Sequence, residues 1–238
     1  MKLPTQKTAP QTNINTVTML LYGDPKIGKS TFCSRFENAF FIATEPGLNH
    51  LETYNLRADT WREAYDILSE LQENPGRFSP IVIDTVDRLW ELCCRYICEQ
   101  NNLKALSSMG YGKGYEFAEV EFNYYLQDLV KLNTGLIFTS HATYDTFINS
   151  EGEQTKKFMP SVDKRVRKYL NPLVDIIGYI SMVHDFDKST GEKVEKRIFH
   201  AHENIELWEA GDRTGKLPAE FPFSQKVYKS FFETKEQK

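Results

Sequence analysis

The segment Gly23-Asp24-Pro25-Lys26-Ile27-Gly28-Lys29-Ser30 restricts the possible folds of this 238-residue chain more than any other part of it. It matches G-x-x-x-x-G-K-[ST], a loop whose backbone N–H groups converge on phosphates, and this pattern requires a strand before it and a helix after it. Both are predicted, because apolar and β-branched residues fill 17–22 and a helical pattern covers 29–36. We therefore expect an α/β domain with a phosphate-binding loop at the carboxyl end of a buried strand.

Three further apolar runs, at 39–43, 81–83 and 135–139, predict buried strands. An amphipathic helix pattern lies between the first two, and it is opened by Thr60 with Glu63 three residues later, the spacing of a capping box. Strands that alternate with helices favour right-handed βαβ units and a mostly parallel sheet covered on both faces. Ligands of such sheets bind at the carboxyl ends of the strands.

The pattern changes in the last third of the chain. Extended runs at 174–183 and 194–202 are separated by the turn-forming residues 187–191, which predicts a C-terminal antiparallel β-hairpin that closes the sheet. We expect residues 1–15 to be a flexible N-terminal tail and residues 16–238 to form a single domain.

Composition sets limits on the class of protein. Hydrophobic residues make up 40% of the chain, and no apolar run approaches the roughly 20 residues that span a bilayer, so we expect no membrane association. The first fifteen residues also lack the apolar stretch of a secretory signal. Three of the four cysteines crowd one predicted helix, which favours buried thiols in a reducing cytoplasm over a disulfide framework or a zinc site. The net charge of −4 restricts any contact with nucleic acid to a local surface.

The loop and the third strand predict a site for a nucleotide and magnesium. Lys29 is expected to reach the β- and γ-phosphates, while Ser30 is expected to ligate magnesium together with Asp84, which follows the apolar run 80–83 in a Walker B arrangement. No N-K-x-D motif for guanine is present, so ATP is favoured by elimination. The expected nucleotide contacts are Gly23, Asp24, Pro25, Lys26, Ile27, Gly28, Lys29, Ser30 and Thr31.

Two more polar residues are predicted at the same edge of the sheet. Glu45 follows the strand 39–43, where a carboxylate can orient and deprotonate the water that attacks the γ-phosphate. His141 ends the strand that begins near 135, where it could sense that phosphate. A solvated loop glutamate and an ordinary hydrogen-bonded histidine are the competing interpretations.

With these positions placed, the chain resembles the RecA-like recombinase core of P-loop NTPases, and within it the phage-encoded ATP-binding proteins of the Sak-type single-strand annealing group. The resemblance covers residues 17–215 and is carried by AFFIATEPGL at 39–48, PIVIDTVDRL at 80–89 and GLIFTSH at 135–141. It implies that Glu45 is the general base of ATP hydrolysis. It also implies a switch role for His141, which stands where RecA itself has a glutamine.

The resemblance further implies two DNA-binding loops. The first is the glycine-rich segment 105–115, in which Tyr111 could stack on bases and Lys113 could meet a phosphate. The second follows His141, and its later half carries six cations against three acidic residues: Lys156, Lys157, Lys164, Arg165, Arg167 and Lys168 against Glu151, Glu153 and Asp163. A nucleotide lid or plain connection for the first segment and a solvated helix face for the second remain open.

The segment 209–218 resembles a Lys-Asp-Arg signature of these phage proteins, although Ala210 and Gly211 occupy the region where the lysine is usual. The resemblance implies that Arg213 is a cation that reaches the nucleotide of a neighbouring subunit in a ring or filament. A surface turn arginine is the alternative.

These expectations combine into a leading hypothesis, an ATP-dependent phage recombination protein that binds single-stranded DNA and oligomerises on it in the host bacterial cytoplasm. Single-strand binding protein or other replication proteins are possible partners. One alternative is an AAA+-type motor or helicase loader, although the predicted hairpin stands where such proteins carry a helical lid. A P-loop kinase and a regulatory protein that hydrolyses ATP slowly are the others.

Overall fold

The computed structural model describes residues 3, 5–7, 13–148, 151–186 and 193–233. Within those ranges ten strands are formed: β1 (Thr18–Gly23), β2 (Phe40–Ala43), β3 (Tyr54–Arg57), β4 (Ile81–Asp84), β5 (Leu136–Ile148), β6 (Gln154–Pro160), β7 (Ile176–Phe186), β8 (Lys193–His200), β9 (Gly211–Asp212) and β10 (Glu220–Pro222). The α-helices are α1 (Lys29–Ser34), α2 (Trp61–Glu73), α3 (Val86–Gln100), α4 (Lys113–Val130), α5 (Lys164–Leu173) and α6 (Gln225–Ser230). Short 3-10 helices occupy Ile14–Thr16 and Leu106–Met109.

The strands form one sheet in the order β10-β8-β7-β1-β5-β4-β2-β3, with β6 paired to β5 and β9 paired to β7 beside this row. The six strands from β7 to β3 run parallel, whereas β8 and β10 continue the sheet in antiparallel fashion. The predicted α/β class with a mostly parallel sheet and a C-terminal hairpin is therefore confirmed. β5 lies between β1, which precedes the phosphate loop, and β4, which delivers Asp84.

Helices cover both faces of the sheet, as a parallel sheet requires. On one face, α2, α3, α4 and α5 enclose a large apolar core in which the Trp61 and Phe122 rings stack 5.7 Å apart. On the other face, α1 and α6 pack against β1 and β8, with Phe32 in contact with Tyr228 and Phe199. Among the helices of the described ranges, none combines the length and apolar character needed to cross a bilayer.

The boundaries of the predicted elements agree with the structure to within a few residues in the parallel core. The capping box is present: the Glu63 N–H donates to Thr60 Oγ1 (3.2 Å), and the Thr60 N–H donates to Glu63 Oε2 (2.9 Å). The hairpin strands are β7 and β8, while their predicted turn at 187–191 lies outside the described residues. Most of the predicted N-terminal tail also lies outside them, but the Asn15 carbonyl accepts a hydrogen bond from the Gly135 N–H (2.6 Å).

The two segments expected to be loops are largely regular, and that expectation was wrong. The first contains the 3-10 helix Leu106–Met109 and the start of α4. These two elements pack closely at Gly114, where an added Cβ would lie 2.3 Å from the Leu106 carbonyl oxygen. The second is a long β-hairpin of β5 and β6 followed by α5. β-branched and aromatic residues such as Thr143, Tyr144 and Thr146 favour the extension of β5 beyond its parallel neighbours, where it pairs with β6.

Candidate phosphate-binding site

The parallel strands bring the predicted site residues to one edge of the sheet. In the strand register Gly23 lies opposite His141, while Asp84 lies opposite both Ala43 and Thr139. A pocket of about 410 Å³ opens at this edge. It is lined by Pro25, Lys26, Gly28, Lys29, Ser30, Thr31, Glu45, Pro46, Gly47, His50, Leu51, Asp84, Thr85 and His141.

Two glycines of the phosphate loop are required by its geometry. Gly23 ends β1 against β7, and a Cβ at this position would lie 2.7 Å from the Ile180 carbonyl oxygen. Gly28 has a φ of +104°, a conformation that L side chains rarely adopt, and it caps the start of α1. The loop thus turns sharply from strand to helix, and consecutive backbone N–H groups in such a turn can form an anion-binding concavity at the start of α1.

Lys29 is held inside the loop, with only 6% of its surface exposed. Its ammonium donates to the carbonyl oxygens of Gly23 (2.8 Å) and Asp24 (3.0 Å). Burial lowers the pKa of Lys29, while the negative charge of Asp84 opposes that shift. A phosphate in the loop would offer this ammonium an acceptor with a full negative charge in place of neutral carbonyls, which adds Coulomb attraction to the hydrogen bonds.

Ser30 and Asp84 meet directly beside Lys29. Ser30 Oγ donates to Asp84 Oδ2 at 2.8 Å, and the other carboxylate oxygen accepts from Thr139 Oγ1. A hydroxyl and a single carboxylate fit magnesium, which keeps several waters and takes further ligands from substrate phosphates. No group of three or more His, Cys, Asp or Glu in the described part of the chain could form a cage for a metal ion. The donor set thus suits magnesium bound together with a nucleotide.

Glu45 faces the same pocket and is held from two sides. Its Oε1 accepts from Thr85 Oγ1 at 2.9 Å, and its Oε2 lies 3.5 Å from His141 Nε2. The hydrogen bond from His141 lowers the pKa of Glu45, although burial opposes this, and the bond to Glu45 raises the pKa of His141. Both side chains remain about one third exposed, so the carboxylate is both oriented and open to water.

Threonines that the sequence argument did not single out fix this arrangement. The Thr44 hydroxyl donates to the Thr85 carbonyl and accepts from the Thr85 N–H, both at 2.8 Å. These bonds join the ends of β2 and β4, and they position the Thr85 hydroxyl under Glu45. The signal available in the sequence was that Thr44 and Thr85 each stand next to a predicted site carboxylate.

A second carboxylate connects His141 with the start of α5. Asp87 is largely enclosed in the first turn of α3, and burial raises its pKa. It accepts hydrogen bonds from Ser140 Oγ (3.0 Å) and Ser161 Oγ, and the Ser161 N–H donates to the His141 carbonyl (2.8 Å). The chain that leads into α5 is therefore attached to the strand end that carries His141.

The residues predicted to bind DNA lie on neighbouring elements outside the pocket. The Arg165 guanidinium stacks over the Tyr115 ring at 4.3 Å, which joins the start of α5 to the start of α4. Tyr111 is fully exposed and precedes α4, whose first residue is Lys113. The structure thus brings the two predicted DNA-binding segments together into one surface.

Much of the positive charge of α5 is paired. Arg165 and Lys168 lie 3.4 and 3.8 Å from the Glu119 carboxylate, and Arg167 lies 3.7 Å from Glu209. Lys164 has no carboxylate partner among the described residues. The local basic patch is therefore weaker than a count of charges in the sequence suggests.

Arg213 lies near the amino ends of the parallel strands, whereas the phosphate loop lies at their carboxyl ends. Its guanidinium donates to the Pro172 carbonyl (3.0 Å) and its N–H to the Asp175 carbonyl (2.8 Å), just before β7 begins. Since β7 is parallel to β1, this is the amino end of both strands. Arg213 therefore lies far from the nucleotide site of its own chain. Its predicted contact with the nucleotide of a neighbouring subunit stays a prediction.

Known proteins are similar to this chain in sequence. The SPbeta prophage-derived uncharacterized protein YorG of Bacillus subtilis (strain 168) is 25% identical over 168 residues, 68% of this chain and 49% of that protein. The chain thus spans about half the length of that relative. A family model described as an AAA domain matches residues 15–214. This match does not identify the Sak-type RecA-like group that the resemblance implied, which stays a prediction. Because this match covers most of the chain and includes the phosphate loop, the protein belongs to the AAA domain family of nucleotide-binding P-loop NTPases.

Proposed function

We propose that this protein is a phage-encoded ATPase that acts on single-stranded DNA in recombination or strand annealing. One observation carries the ATPase part of the proposal: the Glu45 carboxylate, oriented by Thr85 and His141, lines the same pocket as Lys29 and the Ser30–Asp84 pair. A charge-neutralising group and a water-orienting base are the parts that phosphoryl transfer to water requires.

Each side chain has a defined task in this proposal. Lys29 exchanges its backbone acceptors for phosphate oxygens and stabilises the charge of the transferring group. Glu45 orients a water molecule and accepts its proton, while the bond from His141 keeps the carboxylate ionised. Ser30 and Asp84 would hold magnesium, which would supply further neutralisation of phosphate charge.

Phosphate release from ATP by the purified protein, with and without magnesium, tests the ATPase proposal. Lys29→Ala should abolish tight nucleotide binding and turnover, because its ammonium is the buried cation of the loop. Lys131→Ala is the control, since Lys131 pairs with Asp128 on the surface at the far end of α4. Equal ATP affinity and turnover in Lys29→Ala and the wild type would contradict the proposal.

Support for single-stranded DNA as the partner comes from the surface formed by the starts of α4 and α5. The exposed Tyr111 ring offers a stacking platform, and Lys164 offers a cation for the phosphate backbone. The hydrogen bonds of Ser161 with His141 and Asp87 lead from this surface to the strand end beside the nucleotide pocket. Contact with DNA could therefore alter the position of His141.

Fluorescence anisotropy with a labelled single-stranded oligonucleotide tests this surface. The double substitution Tyr111→Ala with Lys164→Ala disrupts no ion pair among the described residues, unlike changes at Arg165 or Arg167. Stacking of one base contributes about 1–3 kcal/mol, so affinity should fall by about five- to a hundredfold, with a weaker dependence on salt. Unchanged affinity and salt dependence, with the Lys131→Ala control also unchanged, would exclude this surface as the binding site.

Assembly into a ring or filament completes the proposal. Phe117, Val120 and Tyr124 form an exposed apolar stripe along α4, at a spacing that places them on one helical face. A second copy of the chain would cover such a stripe and could bring Arg213 to a neighbouring nucleotide site. Sedimentation with and without ATP and oligonucleotide tests this, and a monomer under all conditions would contradict it.

The family assignment favours a second candidate, an AAA-type motor or helicase loader that acts with replication proteins. The C-terminal elements β8, β10 and α6 complete the sheet and its second core, so they do not form the separate helical lid such motors usually carry. ATP turnover stimulated by a replication protein but not by DNA would favour the loader. A P-loop kinase would need a basic lid that closes over an acceptor, and the basic stretch 156–168 is the segment that could form one. The kinase alternative is less favoured, because the part of this stretch that begins α5 buries Val166 in the main core.

A further inference from the structure

The C-terminal hairpin places a second arginine, Arg197, against the phosphate loop. Arg197 lies on β8 opposite Met182 of β7. A Cβ built at Gly28 would lie 3.0 Å from Arg197 Nη1 and 3.9 Å from Arg197 Cζ. The guanidinium is therefore in contact range of the loop, although Arg197 belongs to no recognised motif.

The position of Arg197 is fixed by its neighbours. The Arg197 carbonyl accepts a hydrogen bond from the Phe223 N–H (2.8 Å), and the Phe223 ring stacks on Phe32 of α1 with the ring centres 4.8 Å apart. Phe223 also approaches Gly28, with its Cε1 3.9 Å from the same built Cβ. The helix that follows the phosphate loop and the strand that carries Arg197 are thus packed together through Phe223 and through the contact of Phe32 with Phe199 of β8.

The charge of Arg197 is available to a ligand. Arg197 is exposed, and the nearby hairpin carboxylates contact other residues: Glu195 lies 3.9 Å from His184, and Asp185 pairs with Lys196. Within the part of the chain that the structure describes, no carboxylate forms an ion pair with Arg197. A guanidinium is charged at any physiological pH, and its planar fork matches phosphate oxygens in a bidentate manner.

The sheet order indicates which part of a nucleotide Arg197 would meet. The three residues that would surround the terminal phosphate lie to one side of β1: Asp84 on β4, His141 on β5, and Glu45 just after β2. β7 and β8 lie on the other side of β1. A phosphate chain that crosses the loop with its terminal phosphate at Glu45 would carry its nucleoside end towards β8.

From this geometry we propose that Arg197 is a nucleotide-binding residue that acts within its own chain and binds the phosphate chain near its nucleoside end. This inference rests on the proposed nucleotide site and adds a cation that the loop motif does not contain. It assigns the C-terminal hairpin a role in ligand binding besides closure of the sheet.

Calorimetric titration with ATP and with tripolyphosphate tests the inference. Arg197→Ala should weaken the binding of both ligands by about ten- to a hundredfold, the range for hydrogen bonds to charged groups. Arg197→Gln keeps the length of the side chain without its charge and should show the same loss, while thermal unfolding checks that both variants are folded. Arg35→Ala removes an exposed arginine at the far end of α1 and is the matched control.

Three results would overturn the inference or its premise. Wild-type affinity for ATP in both Arg197 variants, with binding lost in Lys29→Ala, would refute the role of Arg197 and leave the nucleotide site intact. Loss of ATP binding with unchanged tripolyphosphate binding would place the guanidinium on the nucleoside and refute the phosphate contact. Wild-type affinity in Lys29→Ala would instead refute the proposed nucleotide site itself.

Discussion

Substitution of Glu45 by glutamine separates binding from catalysis at the proposed ATPase site. Glutamine has the same shape, and its amide oxygen can still accept the hydrogen bond that Thr85 Oγ1 donates to Glu45 Oε1 at 2.9 Å. An amide cannot accept a proton from water near neutral pH. The substitution thus retains most of the local packing and removes the general base.

The magnitude follows from the position of Glu45 in the pocket. The carboxylate lines the pocket and contacts Thr85 and His141, and it makes no hydrogen bond to the phosphate loop, so the affinity for ATP should change by less than about threefold. A positioned general base contributes about 10²- to 10⁴-fold to a rate, which corresponds to about 3–5 kcal/mol of transition-state stabilisation. The value of kcat should therefore fall by that factor.

Two assays measure these quantities on the same preparation. Titration with a fluorescent ATP analogue gives Kd, and phosphate release at saturating ATP gives kcat, for the wild type and Glu45→Gln. A kcat within threefold of the wild type would refute the base role of Glu45. Loss of binding together with turnover would assign Glu45 to ligand binding instead.

Three further predictions concern the stability of the fold. His141→Ala should lower the free energy of unfolding most between about pH 4.5 and 6.5, where His141 is protonated and Glu45 is ionised. Because the pKa of His141 is raised in the folded state, its stabilisation is present at low pH and disappears as the pH rises through that pKa; because the pKa of Glu45 is lowered, its stabilisation is present at higher pH and disappears as the pH falls through that pKa. Both groups are about one third exposed, so urea unfolding should show a difference of about 0.2–1 kcal/mol, and a difference that does not vary with pH would contradict this prediction. Thr60→Ala removes the capping box of α2 and should cost about 1 kcal/mol in the same assay, whereas no change would show that the cap is dispensable. Phe122→Ala leaves a cavity beside Trp61 and should lower the free energy of unfolding by about 3–5 kcal/mol. A decrease of less than about 1 kcal/mol would contradict this prediction and show that neighbouring side chains fill the cavity.

The parallel core could be predicted from the sequence because its signals are local. An apolar run such as 81–83 becomes β4, and the capping box at Thr60 begins α2 where it was expected. The convergence of Glu45, Asp84 and His141 also follows from sequence, since the carboxyl ends of parallel strands meet at one edge. These predictions needed no knowledge of distant contacts.

Other elements depend on contacts that no local pattern shows. All four residues of β3 (Tyr54–Arg57) are exposed. The strand is too short for its apolar alternation at Tyr54 and Leu56 to stand out in the sequence, and its pairing with β2 defines it. The basic residues of α5 appear in the sequence as a free patch, whereas Glu119 and Glu209, distant along the chain, neutralise part of it. The contact of Arg197 with the loop likewise depends on the closure of the hairpin.

The central claim is that the chain couples ATP turnover to single-stranded DNA, and one measurement tests it most directly. Phosphate release from ATP in the presence of magnesium would be compared without DNA, with a single-stranded oligonucleotide and with duplex DNA of the same sequence. The account predicts turnover that rises with the single strand, rises less with the duplex and is lost in Glu45→Gln under every condition. Turnover that responds to neither DNA, or no turnover by the wild type under any of the three conditions, would contradict it.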